Sequence, residues 1–269
     1  MESSKDIIEN RKDVYNSRYI DDVNLPNDLD EFKTKLNNTL EKLKEEKAKG
    51  ITMQIKIDKD GFFSYAHQKG FKFHHAEGDY AVLTTWLPDT PNKLPPYASH
   101  YVGVGGLVID WETEKVLLIK EKTGHDTKGW KIPGGLVDAG EYLSEASVRE
   151  VLEETGIKTN FVGLLGLREK KNYKFGRNDI YFVCLLEKIN DDDIDQCPEE
   201  IAQCEWLPIA DFVNFEHRVG TQEAIAGLAK KLVDLKNQGV DPKSLAWKFK
   251  DVEVNLETLK AKNIIYLAE

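Results

Sequence analysis

The sequence of 269 residues lacks any apolar run long enough to cross a membrane, and its first residues, MESSKDIIENRKD, are charged rather than apolar. We therefore expect neither a membrane-spanning segment nor a secretory signal. Internal repeats and low-complexity tracts are also absent. With 31% charged and 41% hydrophobic residues, the composition is that of a soluble globular protein that can bury a substantial core.

Cysteine is scarce, and Cys184, Cys197 and Cys204 do not have the spacing of metal ligands. Reduced thiols in an intracellular protein are the expected state. We expect a cytoplasmic location and leave a nuclear or mitochondrial pool open, while the C-terminal residues YLAE lack the peroxisomal Ser-Lys-Leu address.

Positively charged residues are fewer than negatively charged ones: the chain has 37 Lys and Arg and 47 Asp and Glu, which gives a net charge of −10. This balance argues against a nucleic-acid partner for the chain as a whole, although a local basic groove stays open. A polyphosphate would have to be held locally, by a metal ion and a few Arg or Lys side chains.

Proline is sparse except in Pro88 to Pro96, PDTPNKLPP, which can continue neither a helix nor a central strand. We place a domain boundary there, which gives a smaller N-terminal α/β domain at 1–97 and a second domain at 98–269. The first ~25 residues carry little pattern and are interpreted as a partly mobile lead-in.

The periodicity of the rest predicts alternating helices and strands. Leu29, Phe32, Leu36, Leu40 and Leu43 recur at helical spacing after a capping Asn27 or Asp28, and Ile51, Met53, Ile55 and Ile57 alternate as in a strand. Further strands are predicted at 71–75, 80–87, 101–109, 115–120, 159–168 and 179–187, helices at 62–69 and 221–236, and a strand running into a short helix in CEWLPIADF. The last ~30 residues are expected to form an extra strand or to pack across the domain.

The chemistry is concentrated in Gly134 to Ile157, GGLVDAGEYLSEASVREVLEETGI, where a glycine turn runs into a helix. Glu150, Glu153 and Glu154 fall at i, i+3 and i+4 and share one helical stripe, with Arg149 in i,i+4 reach of Glu153. A solvated helix face could carry the same charges. Hard carboxylate oxygens grouped in this way suit Mg²⁺ or Mn²⁺.

The wider spacing favours a metal site, because Gly135, Glu141, Arg149-Glu150-Val151, Glu153-Glu154 and Gly156-Ile157 resemble the Nudix box without a departure. GWKIPGG and EWLPIADF resemble the entry and closing segments of Nudix proteins. Residues from about 50 to 215 are similar to a subgroup that contains the fibroblast-growth-factor-antisense Nudix protein and the plant ADP-ribose and NADH pyrophosphatases. The resemblance implies a Nudix α/β/α sandwich preceded by an acetyltransferase-like α/β domain.

The resemblance also implies roles for individual residues. Glu150, Glu153 and Glu154 would be metal ligands, Arg149 would orient them, and Gly134 or Gly135 would lend a backbone carbonyl. Glu141 would play a supporting part and Gly156 would end the helix. Arg168 and Lys131 are candidates for phosphate or sugar contacts.

Three assignments stay open between alternatives. The general base could be Glu200, which we favour over Glu199 and Glu205, or one of the box glutamates, or these loop acids could simply be solvated. Phe175 or Tyr181 could stack on a base or belong to the core. His74, His75 and Trp130 are interpreted as structural residues.

The resemblance implies a Mg²⁺- or Mn²⁺-dependent pyrophosphatase that releases AMP from a nucleoside diphosphate derivative such as NADH or ADP-ribose. Alternatives are mRNA decapping, dinucleotide polyphosphate hydrolysis, and a non-catalytic nucleotide-binding module. Related pyrophosphatases are often dimers, so a homodimer is expected.

Overall fold

The computed structural model describes residues 6–123, 129–190, 193–215, 220–256 and 259–267. Contacts within the chain divide it into two compact units, Met1–Ser99 and His100–Glu269, which are called the N-terminal and C-terminal units below. Within the described ranges, none of the helices combines the length and the apolar character needed to span a membrane.

The N-terminal unit is a mixed five-stranded sheet with two helices, which confirms its α/β character; its likeness to an acetyltransferase stays a prediction. The strand order is β1-β2-β3-β5-β4, with β2 and β3 parallel and the other pairs antiparallel. The elements are β1 (Arg11–Lys12), β2 (Arg18–Ile20), α1 (Leu29–Glu45), β3 (Gly50–Lys56), α2 (Asp60–Gln68), β4 (Lys72–Glu77) and β5 (Tyr80–Trp86).

Helix α1 forms where the apolar repeat predicted it. Asp28 caps its first turn by accepting a 2.9 Å hydrogen bond from the amide of Glu31. Phe32 is fully buried and stacks on Phe62 of α2 with ring centroids 4.1 Å apart. The spaced apolar residues of α1 therefore pack against the sheet and α2 as one core.

The expected mobile lead-in is wrong for residues 8–25. Ile8 and Ile20 are buried in the core of the N-terminal unit, and β2 pairs in parallel with β3 through Ile20 and Met53. Strands of two and three residues are too short for alternation to show in the sequence, so the burial of this segment was hidden.

The C-terminal unit is built on a five-stranded sheet of order β10-β7-β6-β9-β8. Strands β6 and β9 are parallel, and the remaining pairs are antiparallel. The elements are β6 (His100–Asp110), β7 (Lys115–Glu121), α3 (Leu143–Thr155), β8 (Thr159–Lys174), β9 (Arg177–Lys188), β10 (Ile201–Pro208), α4 (Ile209–Asn214), α5 (Gly220–Asn237), β11 (Lys248–Leu256) and β12 (Leu259–Leu267).

Helices cover both faces of this sheet. On β7, Leu118 lies in a core cluster with Leu232 of α5, whereas its neighbour Leu117 lies in a separate cluster with Val151 of α3. Because successive strand residues point to opposite faces, the two clusters lie on opposite sides of the sheet. The predicted α/β/α sandwich is confirmed.

Two parts of the C-terminal unit go beyond the expected strands. Strands β8 and β9 continue past Arg168 into a hairpin arm, defined as residues 169–178, whose turn is Phe175-Gly176. The final residues form the antiparallel hairpin β11–β12, and Trp247 just before it exchanges two backbone hydrogen bonds with Leu164 of β8. Of the two expectations for the C-terminal residues, strand formation is confirmed.

Candidate active site

The glycine turn is held against β6 by backbone hydrogen bonds. The amide of Val104 donates to the carbonyl of Gly135 at 2.9 Å, and the amide of Gly106 donates to that of Pro133 at 2.9 Å. Gly134 has φ +154°, and a Cβ there would collide with the carbonyl oxygen of Val104 and lie 2.7 Å from the Cα of Gly105. Both obstacles are backbone, so only glycine fits this turn.

Helix α3 starts after the turn and carries the acidic residues to it. Glu145 accepts from the amide of Tyr142 in a capping arrangement, and Gly156 ends the helix at φ +75° as predicted. A Cβ on Gly135 would lie 2.6 Å from either carboxylate oxygen of Glu150. The second glycine of the turn therefore makes room for the Glu150 carboxylate.

Arg149 joins the acidic residues around this turn. Its guanidinium donates to Glu141 from Nε at 2.8 Å and from Nη2 at 2.9 Å, and its Nη1 donates to Glu150 and Glu153, both at 3.0 Å. The predicted i,i+4 contact with Glu153 is confirmed. Nη2 also donates to the carbonyl of Leu136 at 3.1 Å. The guanidinium thus ties three carboxylates to the loop that leads into the helix.

Burial raises the pKa of two carboxyl groups on α3, those of Glu154 and Glu150. Glu154 is only 6% exposed and accepts a 2.7 Å hydrogen bond from the Gly134 amide at Oε2. Desolvation raises its pKa to about 7, against the lowering influence of Lys131 and of that amide. Burial likewise raises the pKa of Glu150, whereas the hydrogen bonds from Arg149 lower the pKa of Glu141.

These residues fit a divalent cation by the chemistry of their donors. Glu150, Glu153 and Glu154 offer only hard oxygens, which are the ligands that such cations prefer. As placed, no three His, Cys, Asp or Glu groups in the described ranges stand close enough to hold a metal ion. Arg149 supplies the positive charge between Glu150 and Glu153 in this arrangement.

A cleft of 630 Å³ opens in front of the glycine turn, within the usual size of ligand pockets. Lys131 lines it and pairs with Glu121 at the end of β7, while its contact with a substrate stays a prediction. Among the described residues, the cleft is lined by Gly103, Glu121, Gly129, Trp130, Lys131, Gly134, Gly135, Leu136, Arg168, Glu169, Lys170, Tyr173, Asp179, Tyr181, Gly220, Thr221 and Gln222.

Arg168 also lines the cleft, and contacts with Asp179 and Tyr181 fix the orientation of its guanidinium. Its Nη2 donates to Asp179 at 2.6 Å, and its guanidinium lies over the ring of Tyr181, 5.4 Å from the centroid. Asp179 is 3% exposed, so the carboxylate that holds Arg168 is itself buried. The Nε of Arg168 is buried and has no hydrogen-bond partner among the described residues.

Of the predicted site residues, Lys131, Gly135 and Arg168 line the cleft, whereas Arg149, Glu150, Glu153 and Glu154 lie beside it on α3. Phe175 and Glu200 belong to neither group. Phe175 sits in the turn of the hairpin arm at φ +48° with its side chain 88% exposed, and it does not line the cleft. Glu200 lies in the turn before β10, where its carbonyl accepts from the Lys122 amide at 2.8 Å. Its exposed carboxylate makes no hydrogen bond or ion pair with described residues, and the role of Glu200 as general base stays a prediction.

The residues interpreted as structural behave as such. Trp130 is 6% exposed within the core of the C-terminal unit, under the ammonium of Lys120 at 4.5 Å. In the N-terminal unit, His74 and His75 share a 2.7 Å contact between their Nδ1 atoms, and His75 stacks on Tyr97.

Sequence reasoning missed Glu121, Asp179 and Tyr173 in the cleft. Glu121 and Asp179 reach it because β7 and β9 run beside β6, a pairing that no local pattern reveals. Tyr173 reaches it because the hairpin arm contains an irregularity between Lys170 and Lys174. The dense run of Lys and Tyr in LREKKNYKFGR was the signal that could have drawn attention to this arm.

Comparisons with known proteins support the family. A family model described as NUDIX domain matches residues 99–228, and one described as Nudix hydrolase domain matches residues 8–87. The Xenopus laevis protein named nucleoside diphosphate-linked moiety X motif 6 is 45% identical over 54% of this chain and 67% of its own length. Nudix hydrolase 6 of Arabidopsis thaliana is 40% identical over 71% of this chain and 69% of its own length.

Among solved structures, a MutT NUDIX hydrolase from Burkholderia pseudomallei aligns with 48% of this chain and 96% of its own, with a TM-score of 0.40 and 24% identity. The two curated relatives exceed 30% identity over about two thirds or more of their own lengths. The chain therefore belongs to the Nudix hydrolase family, as a pyrophosphohydrolase that acts on nucleoside diphosphate derivatives.

Proposed function

We propose that the chain hydrolyses the pyrophosphate bond of NADH or ADP-ribose with Mg²⁺ or Mn²⁺ and releases AMP. The observation that carries this proposal is the position of the acidic residues. Glu154 is bonded to Gly134 and Glu150 lies beside Gly135, and both glycines line a cleft of nucleotide size. Hard oxygen donors therefore lie directly against two glycines that line the cleft.

The residues at the glycine turn and in the cleft have different roles. Glu150, Glu153 and Glu154 would hold the cation, which when bound supplies positive charge that neutralises the phosphoryl oxygens and makes water a better nucleophile. Arg149 keeps the carboxylates oriented through its bonds to Glu141.

Two cations that line the cleft orient the substrate. Arg168, fixed by Asp179, and Lys131, paired with Glu121, present charged donors to the diphosphate oxygens. A water molecule then attacks one phosphorus, the bond from that phosphorus to the bridging oxygen breaks, and the two phosphate-bearing products leave.

Product analysis on a substrate panel tests this proposal. The full chain is incubated with Mg²⁺ or Mn²⁺ and NADH, ADP-ribose, diadenosine polyphosphate or capped RNA, and AMP and its partner product are quantified by chromatography. We expect NADH or ADP-ribose to be cleaved fastest, and Glu153→Gln and Glu154→Gln to lower turnover by about two orders of magnitude or more. Glu112→Gln, in the exposed turn between β6 and β7, is the matched control.

Preference for capped RNA or dinucleotide polyphosphates would replace the proposed substrate class. Nucleotide binding without turnover of any substrate would instead favour a binding module. The cytoplasmic location and the homodimer stay predictions; the three cysteines are all unpaired, in keeping with a reducing compartment.

A further inference from the structure

The cations of the cleft are of two kinds. Lys131 and Arg168 each have a carboxylate partner, Glu121 and Asp179 respectively. Lys170 also lines the cleft, yet it makes no ion pair with any residue in the described ranges. A cation already paired with a carboxylate attracts a further anion less strongly than an unpaired one. The unpaired positive charge of the cleft therefore lies on the hairpin arm.

Lys170 and a second lysine, Lys174, contact the same aromatic ring. Its ammonium lies 5.5 Å from the ring centroid of Tyr173, and the ammonium of Lys174 lies 5.3 Å from the same centroid. In a regular strand, residues four apart are separated by about 13 Å. The register shift between Lys170 and Lys174, with Asn172 at φ +54°, breaks that regularity and gathers both lysines at one ring.

This gathering brings two positive charges to one ring, and Lys170 and Tyr173 line the cleft. The electron-rich face of the ring stabilises each ammonium group. Glu169 is the acidic neighbour on the arm, and its carboxylate lies near His100 Nε2, at 3.9 Å, rather than bonded to either lysine. The pair therefore suits a compact dianion, such as a phosphate monoester.

The lysine pair is set apart from the place of the pyrophosphate. Gly103 of β6 bridges to Leu136 beside the glycine turn, while Tyr101, two residues earlier on β6, contacts Tyr173 with centroids 6.2 Å apart. Two residues of strand span about 7 Å. A substrate with its diphosphate at the glycine turn would thus bring its adjoining nucleoside, not the diphosphate, to the lysines.

We propose that Lys170 and Lys174, gathered around Tyr173, bind a phosphate monoester on the ribose of the substrate. The favoured substrate class is then a nucleoside diphosphate derivative that carries a third phosphate at the 2′ or 3′ position. This inference rests on the proposed function and extends its substrate class from NADH and ADP-ribose to analogues that carry one more phosphate. Tyr173 is the positioning residue, because it lines the cleft and its ring contacts both ammonium groups.

Paired substrates test the subsite. NADH and NADPH differ only by the 2′-phosphate, so the ratio of their kcat/KM values at fixed Mg²⁺ and ionic strength isolates that group. We expect the wild-type chain to favour NADPH by about tenfold or more, mainly through KM, and the double variant Lys170→Gln with Lys174→Gln to bring the ratio near one. Lys171→Gln removes a charge from the same arm at a residue that neither lines the cleft nor shares the Tyr173 ring, and the ratio should keep its wild-type value.

Binding without turnover separates this inference from the proposed function. Calorimetry in EDTA compares 5′-AMP with adenosine 2′,5′-bisphosphate and adenosine 3′,5′-bisphosphate. At least one bisphosphate should bind about tenfold more tightly than AMP, and the better one identifies the 2′ or the 3′ position. Equal affinity for all three, or a preference that survives in the double variant, overturns the subsite, whereas lack of NADH and ADP-ribose cleavage alone overturns the proposed function.

Discussion

Arg149 and Glu141 form a forked ion pair across eight residues of sequence, with Nε to Oε1 at 2.8 Å and Nη2 to Oε2 at 2.9 Å. Two parallel bonds fix the plane of the guanidinium, which leaves Nη1 aimed at Glu150 and Glu153. The pKa of Glu141 is lowered by the same bonds, so the pair stays charged throughout the neutral range. Glu141 thereby positions carboxylates that it does not touch.

Lysine at position 149 should keep the charge and lose the fork. We expect Arg149→Lys to lower kcat/KM by about 10- to 100-fold and to raise the Mg²⁺ concentration needed for half-maximal activity, because a point charge cannot hold three carboxylates in place. The measurement is AMP release at increasing Mg²⁺. Arg11→Lys is the matched control, since Arg11 makes a similar two-bond contact with Asp21 at an exposed position of the N-terminal unit. Equal kinetics for the two variants would contradict the positioning role.

The metal-free protein should lose stability as pH rises through the range set by Glu154. Its pKa is raised from 4.5 to about 7 in the folded state, so between these values the folded chain binds more protons than the unfolded chain. The free energy of unfolding therefore falls with rising pH in that window. Glu154→Gln should flatten this part of the profile and Glu112→Gln should not, as measured by urea unfolding in EDTA. Identical slopes in all three proteins would show that Glu154 is not responsible.

Replacing Gly134 by alanine should lower the stability of the fold far more than replacing Gly140. Both glycines have positive φ, but a Cβ at Gly134 meets the backbone of Val104 and Gly105, whereas a Cβ at Gly140 meets nothing within 4 Å. We expect Gly140→Ala to cost about 1 kcal/mol and Gly134→Ala more than about 3 kcal/mol, or to prevent folding. Thermal unfolding of the two variants provides the comparison. Similar melting temperatures would mean that glycine is needed at position 134 because of its backbone conformation alone, and not because a Cβ would collide with the backbone of β6.

Asparagine at position 175 should stabilise the hairpin arm. Phe175 and Gly176 have φ values of +48° and +69°, as in the two-residue turns that favour Asn-Gly, and a phenylalanine is strained there. We expect Phe175→Asn to raise stability by about 0.5–1 kcal/mol, or roughly 1–4 °C in Tm, and to leave KM unchanged because the side chain lies outside the cleft. Phe175→Ala keeps the strain and should bring no such gain. An increase of KM in both variants would restore the base-stacking role once predicted for Phe175.

The sequence could predict the site only where its residues follow one another along the chain. Glu150, Glu153, Glu154 and Arg149 lie on one helix, so their spacing fixes their shared face before any tertiary contact is known. Asp179 acts through Arg168 because β9 runs beside β8, and such pairing depends on the whole sheet.

The same reason accounts for the errors in the predicted fold. Helix α1 was predictable because five apolar residues repeat over four turns, whereas β1 and β2 are too short to show a period. Phe175 was placed at the site from its residue type alone. Its turn conformation, which directs the side chain into solvent, follows from the register of the arm.

Titration of Mn²⁺ into the full chain, followed by electron paramagnetic resonance, tests the central claim that the carboxylates beside the glycine turn hold a hard divalent cation. We expect saturable Mn²⁺ binding by the wild-type chain and by Glu112→Gln, and its loss when Glu150 and Glu154 are both replaced by glutamine. Equal Mn²⁺ binding by the double variant, or none by the wild-type chain even with ADP-ribose present, would contradict the account.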